Sequence, residues 1–151
     1  MFNLSKAKAK GRVKLQLISP EGTIKSEQVV SNLVVDTGLD FISSRMAGTS
    51  DAVMSHMEVG TDNTAPGAAD TALGTAISGS RVSLTSTTVT DNAIEYIGDF
   101  PAGTGTGAIV EAGVFNAGAS GTMLCRTIFS VVNKGSDDTL KITWTITVSD
   151  T

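Results

Sequence analysis

The sequence predicts an all-β protein: an antiparallel β-sandwich of jelly-roll type, with about eight strands and one short helix near residues 37–47. Three observations carry this. Segment after segment alternates apolar and polar residues with a period of two, the mark of a half-buried strand. The segments are rich in Thr, Val and Ile and are separated by Gly, Pro, Asn and Asp, the composition of short strands joined by tight turns. No strand-helix-strand rhythm appears, which removes a doubly wound parallel sheet.

Taken in order, residues 1–11, MFNLSKAKAKG, read as a flexible basic arm that ends at Gly11, and residues 12–151 as a single sandwich domain. RVKLQLI sets Val13, Leu15 and Leu17 against Arg12, Lys14 and Gln16. PEGT supplies Pro20 and Gly22 for a turn, and TIKSEQVV returns, so the first two strands form a hairpin. In SNLVVDTGLDFISSRMAG the period changes, with Leu39, Ile42 and Met46 at helical spacing, Asp36 or Thr37 as the cap and Gly48 as the stop. Strands follow in VMSHMEV, SRVSLTSTTVT, NAIEYIGDF, GAIVEAGVFN, TMLCRTIFSVV and LKITWTITVS. The last is the clearest: Ile142, Trp144, Ile146 and Val148 face one way, and Lys141, Thr143, Thr145 and Thr147 the other, which makes Trp144 a core anchor.

Bulk properties narrow the function classes. A chain of 151 residues suits one domain, and burying about 68–70% of its unfolded surface gives it a sizeable core. The net charge of −4 argues against a general nucleic-acid footprint. Residues 1–20 nevertheless hold Lys6, Lys8, Lys10, Arg12 and Lys14 with no acid. A single cysteine, Cys125, excludes an internal disulfide. No apolar run approaches the ~18–20 residues of a membrane span and the amino end lacks a signal-peptide core, so the expectation is a soluble chain assembled inside the cell.

Reactive constellations are absent by pattern. His56 is the only histidine; His56-Met57-Glu58 shares the His-x-Glu spacing of zinc deaminases but has no paired cysteines after it. Cys125 alternates with Met123, Thr127 and Phe129 on one strand face and reads as a small hydrophobe. GTGTG, Gly103 to Gly107, precedes a strand rather than a helix, so it is a hairpin connection and no phosphate cradle. Asp62, Asn63 and Asp70 lack the spacing of a calcium loop. The spacing of Glu95, Asp99 and Glu111 defines no acid/base pair, and solvated faces are expected. The reading is of a protein that is not an enzyme and has no catalytic, cofactor-binding or metal residue. Lys6, Lys8 and Lys10 alternate with Ala7 and Ala9, so the arm either lies extended on an acidic partner or sheet edge, or is a frayed tail.

Five stretches carry a resemblance: NLVVDTG (32–38), VGTDNTAPGAADTAL (59–73), EAGVF (111–115), GTMLCRTIFSVVNKG (121–135) and LKITWTITVS (140–149). In content and order they resemble small accessory structural proteins of tailed bacteriophages, across residue 12 to the end. The likeness implies a capsid decoration, or cement, protein that binds the major capsid protein lattice and stabilises it. Related loops also occur in tail, collar and fibre proteins, which is the alternative; a carbohydrate-binding attachment module is a further one. The resemblance implies a virion component assembled in the host bacterial cytoplasm, a homo-oligomer (dimer or trimer), and no cofactor, nucleic acid or membrane. Partner contacts are expected at the tip of the second stretch (Asp62, Asn63, Thr64, Pro66) and, from its charge pattern rather than from the likeness, at the basic arm (Lys6, Lys8, Lys10, Arg12). The loop of the second stretch reads as a docking element in which Pro66 stiffens the chain while Gly60, Gly67 and Gly74 let segments approach closely. It departs from the family pattern at Asp62-Asn63, where a glycine is usual.

Overall fold

A computed structural model describes residues 7–49 and 51–150. Ten strands and one helix follow in the order β1 (Lys8–Ile18), β2 (Ile24–Ser31), β3 (Leu33–Val34), α1 (Asp36–Met46), β4 (His56–Gly60), β5 (Val82–Ser83), β6 (Ser86–Thr90), β7 (Ala93–Phe100), β8 (Gly107–Phe115), β9 (Met123–Lys134) and β10 (Thr139–Ser149). They form two five-stranded antiparallel sheets, β2-β1-β10-β7-β6 (sheet I) and β3-β9-β8-β4-β5 (sheet II). β1–β2, β6–β7 and β10 lie in sheet I and β3–β5 and β8–β9 in sheet II, so the chain crosses between the sheets four times, and β10 returns to lie between β1 and β7 of an antiparallel β-sandwich.

Alternation decides what each strand buries. Val13, Leu15 and Leu17 of β1, Tyr96 and Phe100 of β7, and Leu140, Ile142, Trp144 and Ile146 of β10 face Met57, Val59, Ile109, Ala112, Val114, Cys125, Phe129 and Val132 of sheet II in one core. Trp144 is fully buried and lies between Val13 and Tyr96 in register. β1 and β2 form the expected hairpin.

Four details depart from the sequence reading. β1 begins at Lys8 and pairs with β10 from Lys8↔Ser149 onward, so strand reaches into the span read as an arm. Gly11, read as the end of the arm, lies within β1, and the Asn32 side chain fills the space that a Cβ on residue 11 would occupy. The segment read as one strand from Ser80 to Thr90 is split, β5 joining β4 in sheet II and β6 joining β7 in sheet I. A register shift between Val114 and Phe115 sends Met123 to the outer face with Phe115, away from Cys125 on the inner face.

The helix spans nearly the predicted residues but starts and faces differently. Neither Asp36 nor Thr37 caps it; Val35 is the N-cap and makes no side-chain cap bond. Main-chain ties take over: Val35 N–H donates to Leu124 O at 3.2 Å and Asp36 N–H to Ala68 O at 2.8 Å, while Thr37 Oγ1 donates to Met123 O at 2.9 Å. Gly38 and Phe41 turn inward, leaving Leu39 45% and Met46 89% exposed. Gly48 stops the helix as expected, with φ +67.

Candidate functional site

Sheet II is covered over part of its outer side. The long connection between β4 and β5, residues 61–81, folds back over it, and Leu73 joins Val35, Phe115 and Met123 in a second small apolar cluster. What holds this connection is a buried ion pair on that outer face. Glu111 of β8 is 0% exposed and Arg126 of β9 is 2% exposed. Arg126 Nε and Nη2 both lie 3.0 Å from Glu111 Oε1.

Nearly every remaining polar atom of the pair is spent on loop main chain. Glu111 Oε2 accepts from Asp62 N–H at 2.9 Å and Thr75 N–H at 2.8 Å, and Oε1 accepts from Gly74 N–H at 2.9 Å. Arg126 Nη1 donates to Thr64 O at 3.0 Å, and Nη2 to Asp62 O at 3.4 Å. Nη1 also lies 3.3 Å from Asp70 Oδ2. Two carboxylates thus balance one guanidinium, and a buried charge pair satisfied this completely is the kind that holds one geometry. Gly60 is required where the loop leaves β4, because a Cβ there would collide with Thr75 O and the Glu111 carboxylate.

Further ties close the loop's two ends. Asp62 Oδ1 accepts from Thr64 N–H at 2.9 Å and from Thr64 Oγ1 at 2.7 Å. These bonds hold the Asp62 carboxyl below its ordinary range, with the Arg126 charge adding to the effect. Asp70 Oδ2 accepts from Gly67 N–H at 2.9 Å. At the far end, Ser80 Oγ donates to Val59 O at 2.9 Å. The Arg81 guanidinium stacks 3.7 Å above the Phe115 ring and pairs with Glu58 at 3.1 Å. Asn63 and Thr64 are exposed at the tip, and Asp62 and Pro66 are half-buried.

The sequence-predicted contact residues fall in two places, one on each sheet. Asp62, Asn63, Thr64 and Pro66 share the pinned loop. Lys8, Lys10 and Arg12 lie exposed on the outward face of β1, a stripe that Lys14 extends over ~20 Å of strand. A depression of about 460 Å³ lined by residues 7–11 and 31–34 adjoins one of about 350 Å³ lined by Pro66, Thr127 and Ile128, and the two share Ser31, Asn32 and Leu33. The crossover between β2 and β3 therefore joins the basic strand end to the loop tip. Lys6 lies outside the described residues.

Residues weighed for chemistry are not brought together. His56 lies on the outer face of β4, opposite Phe115, with Nδ1 2.7 Å from Ser55 Oγ, whereas Cys125 points into the core. Burial pushes the Cys125 thiol well above its ordinary value. No group of three His, Cys, Asp or Glu residues able to hold a metal exists among the described residues. Asp99 accepts from Thr85 Oγ1 at 2.7 Å, and Glu95 is half-buried on the outer face of sheet I.

Glu111 corrects the sequence reading, which gave it a solvated face, and Arg126 was not singled out at all. The signal was present: GAIVEAGVF and TMLCRTIF are apolar on both faces, with one acid in the first and one base in the second. A lone charge inside a two-faced apolar strand needs a buried counter-charge. No family model, no curated protein and no solved structure matches this chain.

Proposed function

We propose that this chain is a structural protein of a tailed-bacteriophage particle, a capsid decoration or cement protein that grips the major capsid lattice non-covalently. One observation carries the reading: four of the five stretches that resemble such proteins meet on one outer face, that of sheet II. Glu111 from EAGVF and Arg126 from GTMLCRTIFSVVNKG hold the loop VGTDNTAPGAADTAL, and Asp36 from NLVVDTG bonds to Ala68 within it. The result is a pre-formed tip, Asn63 to Pro66, over sheet II, linked through residues 31–33 to the end of a cation stripe on sheet I that has no ion pair at Lys8, Lys10 or Arg12 among the described residues.

A rigid tip loses little conformational freedom on docking, and the stripe suits an acidic strip on the partner. A protein that binds only the expanded lattice stabilises it by about 3–4 kcal/mol per site at 100 to 1,000 times its dissociation constant. Repetition over the shell multiplies the effect.

The test is binding of the purified chain to expanded heads, with heat resistance of decorated and bare heads compared. Asn63→Arg and Lys10→Glu are expected to weaken binding without lowering the melting temperature of the free protein. Unchanged binding by both, or equal heat resistance of bare and decorated heads, refutes the proposal. The loop's likeness to tail and collar proteins supports a second reading, a tail-associated position, which a count of copies per particle separates: hundreds for the head, a dozen or fewer for the tail. A sugar-binding module is disfavoured because Trp144 and Tyr96, the chain's only Trp and Tyr, are both buried.

A further inference from the structure

A β-sandwich with open sheets has four edges, and this one protects three of them. Sheet II ends in β3 and β5, two residues each, too short to template a partner strand. On sheet I, β2 carries Lys25 and Glu27, is irregular against β1 at Leu17/Ile18, and is engaged by the Gln28 amide donating to Ser130 O at 2.8 Å. Charge, irregularity and brevity are the usual ways of blunting an edge. The fourth edge, β6, has none of them. Its sequence, Ser-Thr-Thr-Val-Thr, contains no charge and no proline; all five residues are exposed, and Val89 is 70% exposed.

The turn fixes which main-chain groups this edge offers. Thr90 and Ala93 flank the two-residue turn Asp91-Asn92, in which Asp91 has φ +52, as in a II′ hairpin. They form the hydrogen-bonded pair that closes such a hairpin, so Thr90, Thr88 and Ser86 direct their N–H and C=O groups toward β7. By alternation, Thr87 and Val89 direct theirs outward.

We infer that β6 pairs antiparallel with β6 of a second copy of this chain about a two-fold axis through Thr88, joining two five-stranded sheets into one of ten strands. In that register Thr87 lies opposite Val89 of the second copy and Val89 opposite its Thr87. Both are hydrogen-bonding pairs, and all four outward groups on each strand are used. Thr88 meets its own symmetry mate, a neutral contact that a charged edge would forbid. Thr87 and Val89 project from the same side of the sheet, so each exposed valine gains the methyl group of a threonine as its neighbour. Self-complementarity of this kind is what a two-fold interface demands, and it selects a second copy over a foreign strand. The inference does not depend on which particle, if any, the protein joins.

Sedimentation equilibrium of the full chain, up to roughly millimolar concentration, tests it. The expected result is a species of twice the 15.5 kDa chain mass that Thr87→Pro abolishes. The Thr87 N–H serves no bond inside the sheet, so proline there blocks the edge and leaves the hairpin intact. Thr88→Cys provides an independent trap: under oxidising conditions it is expected to give a disulfide-linked dimer many-fold faster than Ser26→Cys on β2, the buried Cys125 contributing nothing. Should Thr87→Pro lower the melting temperature, the Thr88→Cys trap alone decides. A chain that stays monomeric throughout, a dimer untouched by a stably folded Thr87→Pro variant, or cross-linking no faster at residue 88 than at residue 26 overturns the inference.

Discussion

Replacing Glu111 by glutamine tests the account of the pinned loop most directly, because it keeps the shape of the side chain and removes only its charge and one acceptor. The carboxylate accepts from the N–H groups of Asp62, Gly74 and Thr75 and from Arg126. A glutamine offers one oxygen, which can satisfy one side of this set; its NH2 then points donor against donor at the other. Two bonds to a charged group are lost, at about 1.5–3 kcal/mol each. The sum agrees with the ~3–5 kcal/mol cost of removing one partner of a buried ion pair, here leaving Arg126, 2% exposed, with the half-buried Asp70 carboxylate as its remaining counter-charge. Against a domain stability of about 5–15 kcal/mol, this is a large fraction. At ~2–4 °C per kcal/mol for a chain of this size, Glu111→Gln is expected to melt about 6–20 °C below the parent by circular dichroism. Amide hydrogen exchange should show the loss concentrated at Asp62, Gly74 and Thr75. A melting temperature within a degree or two of the parent, with those amides still protected, would refute the claim that Glu111 holds the loop.

Three further outcomes follow from the same geometry. Gly60→Ala is expected to destabilise the protein and release the loop, since the added methyl meets Thr75 O and the Glu111 carboxylate; exchange at Thr61 and Thr75 measures it. Asp138, held below its ordinary value of 3.8 first by the Lys25 side chain and then by the Gly135 N–H, contributes stability that is complete above the unfolded value and is lost as pH falls through the lower folded one, so Asp138→Asn should flatten the acid limb of a stability-pH profile. Tyr96, pushed from 10.0 to about 12 by burial and secondarily by Cys125, contributes stability that is complete below pH 10 and fades as pH rises through 12; because it is the only tyrosine, tyrosinate absorbance should appear only near pH 12 or together with unfolding.

Alternation made most of the sandwich legible. β10 declared its buried face through Ile142, Trp144 and Ile146, and the β1–β2 hairpin followed from the same period and a Pro-Gly turn. Less legible was whatever depended on partners distant in sequence. The helix face was misread because Phe41 and Gly38, not Leu39 and Met46, meet the sheet, and only the docking of α1 on β9 decides that. The site is half-legible: loop residues 62–66 read as its tip, but the anchors that bond Asp62 lie 49 and 64 residues further along the chain. Met123 changed sides because of a bulge, which leaves period-two text unbroken while shifting every residue beyond it.

Glu111 and Arg126 take hold of amides and carbonyls, groups that every loop residue supplies whatever its side chain. Identity at the exposed positions Asn63 and Ala65 is thereby uncoupled from the folding of the scaffold. Such a tip can be rewritten letter by letter as the opposing surface drifts, while the grip that presents it stays the same.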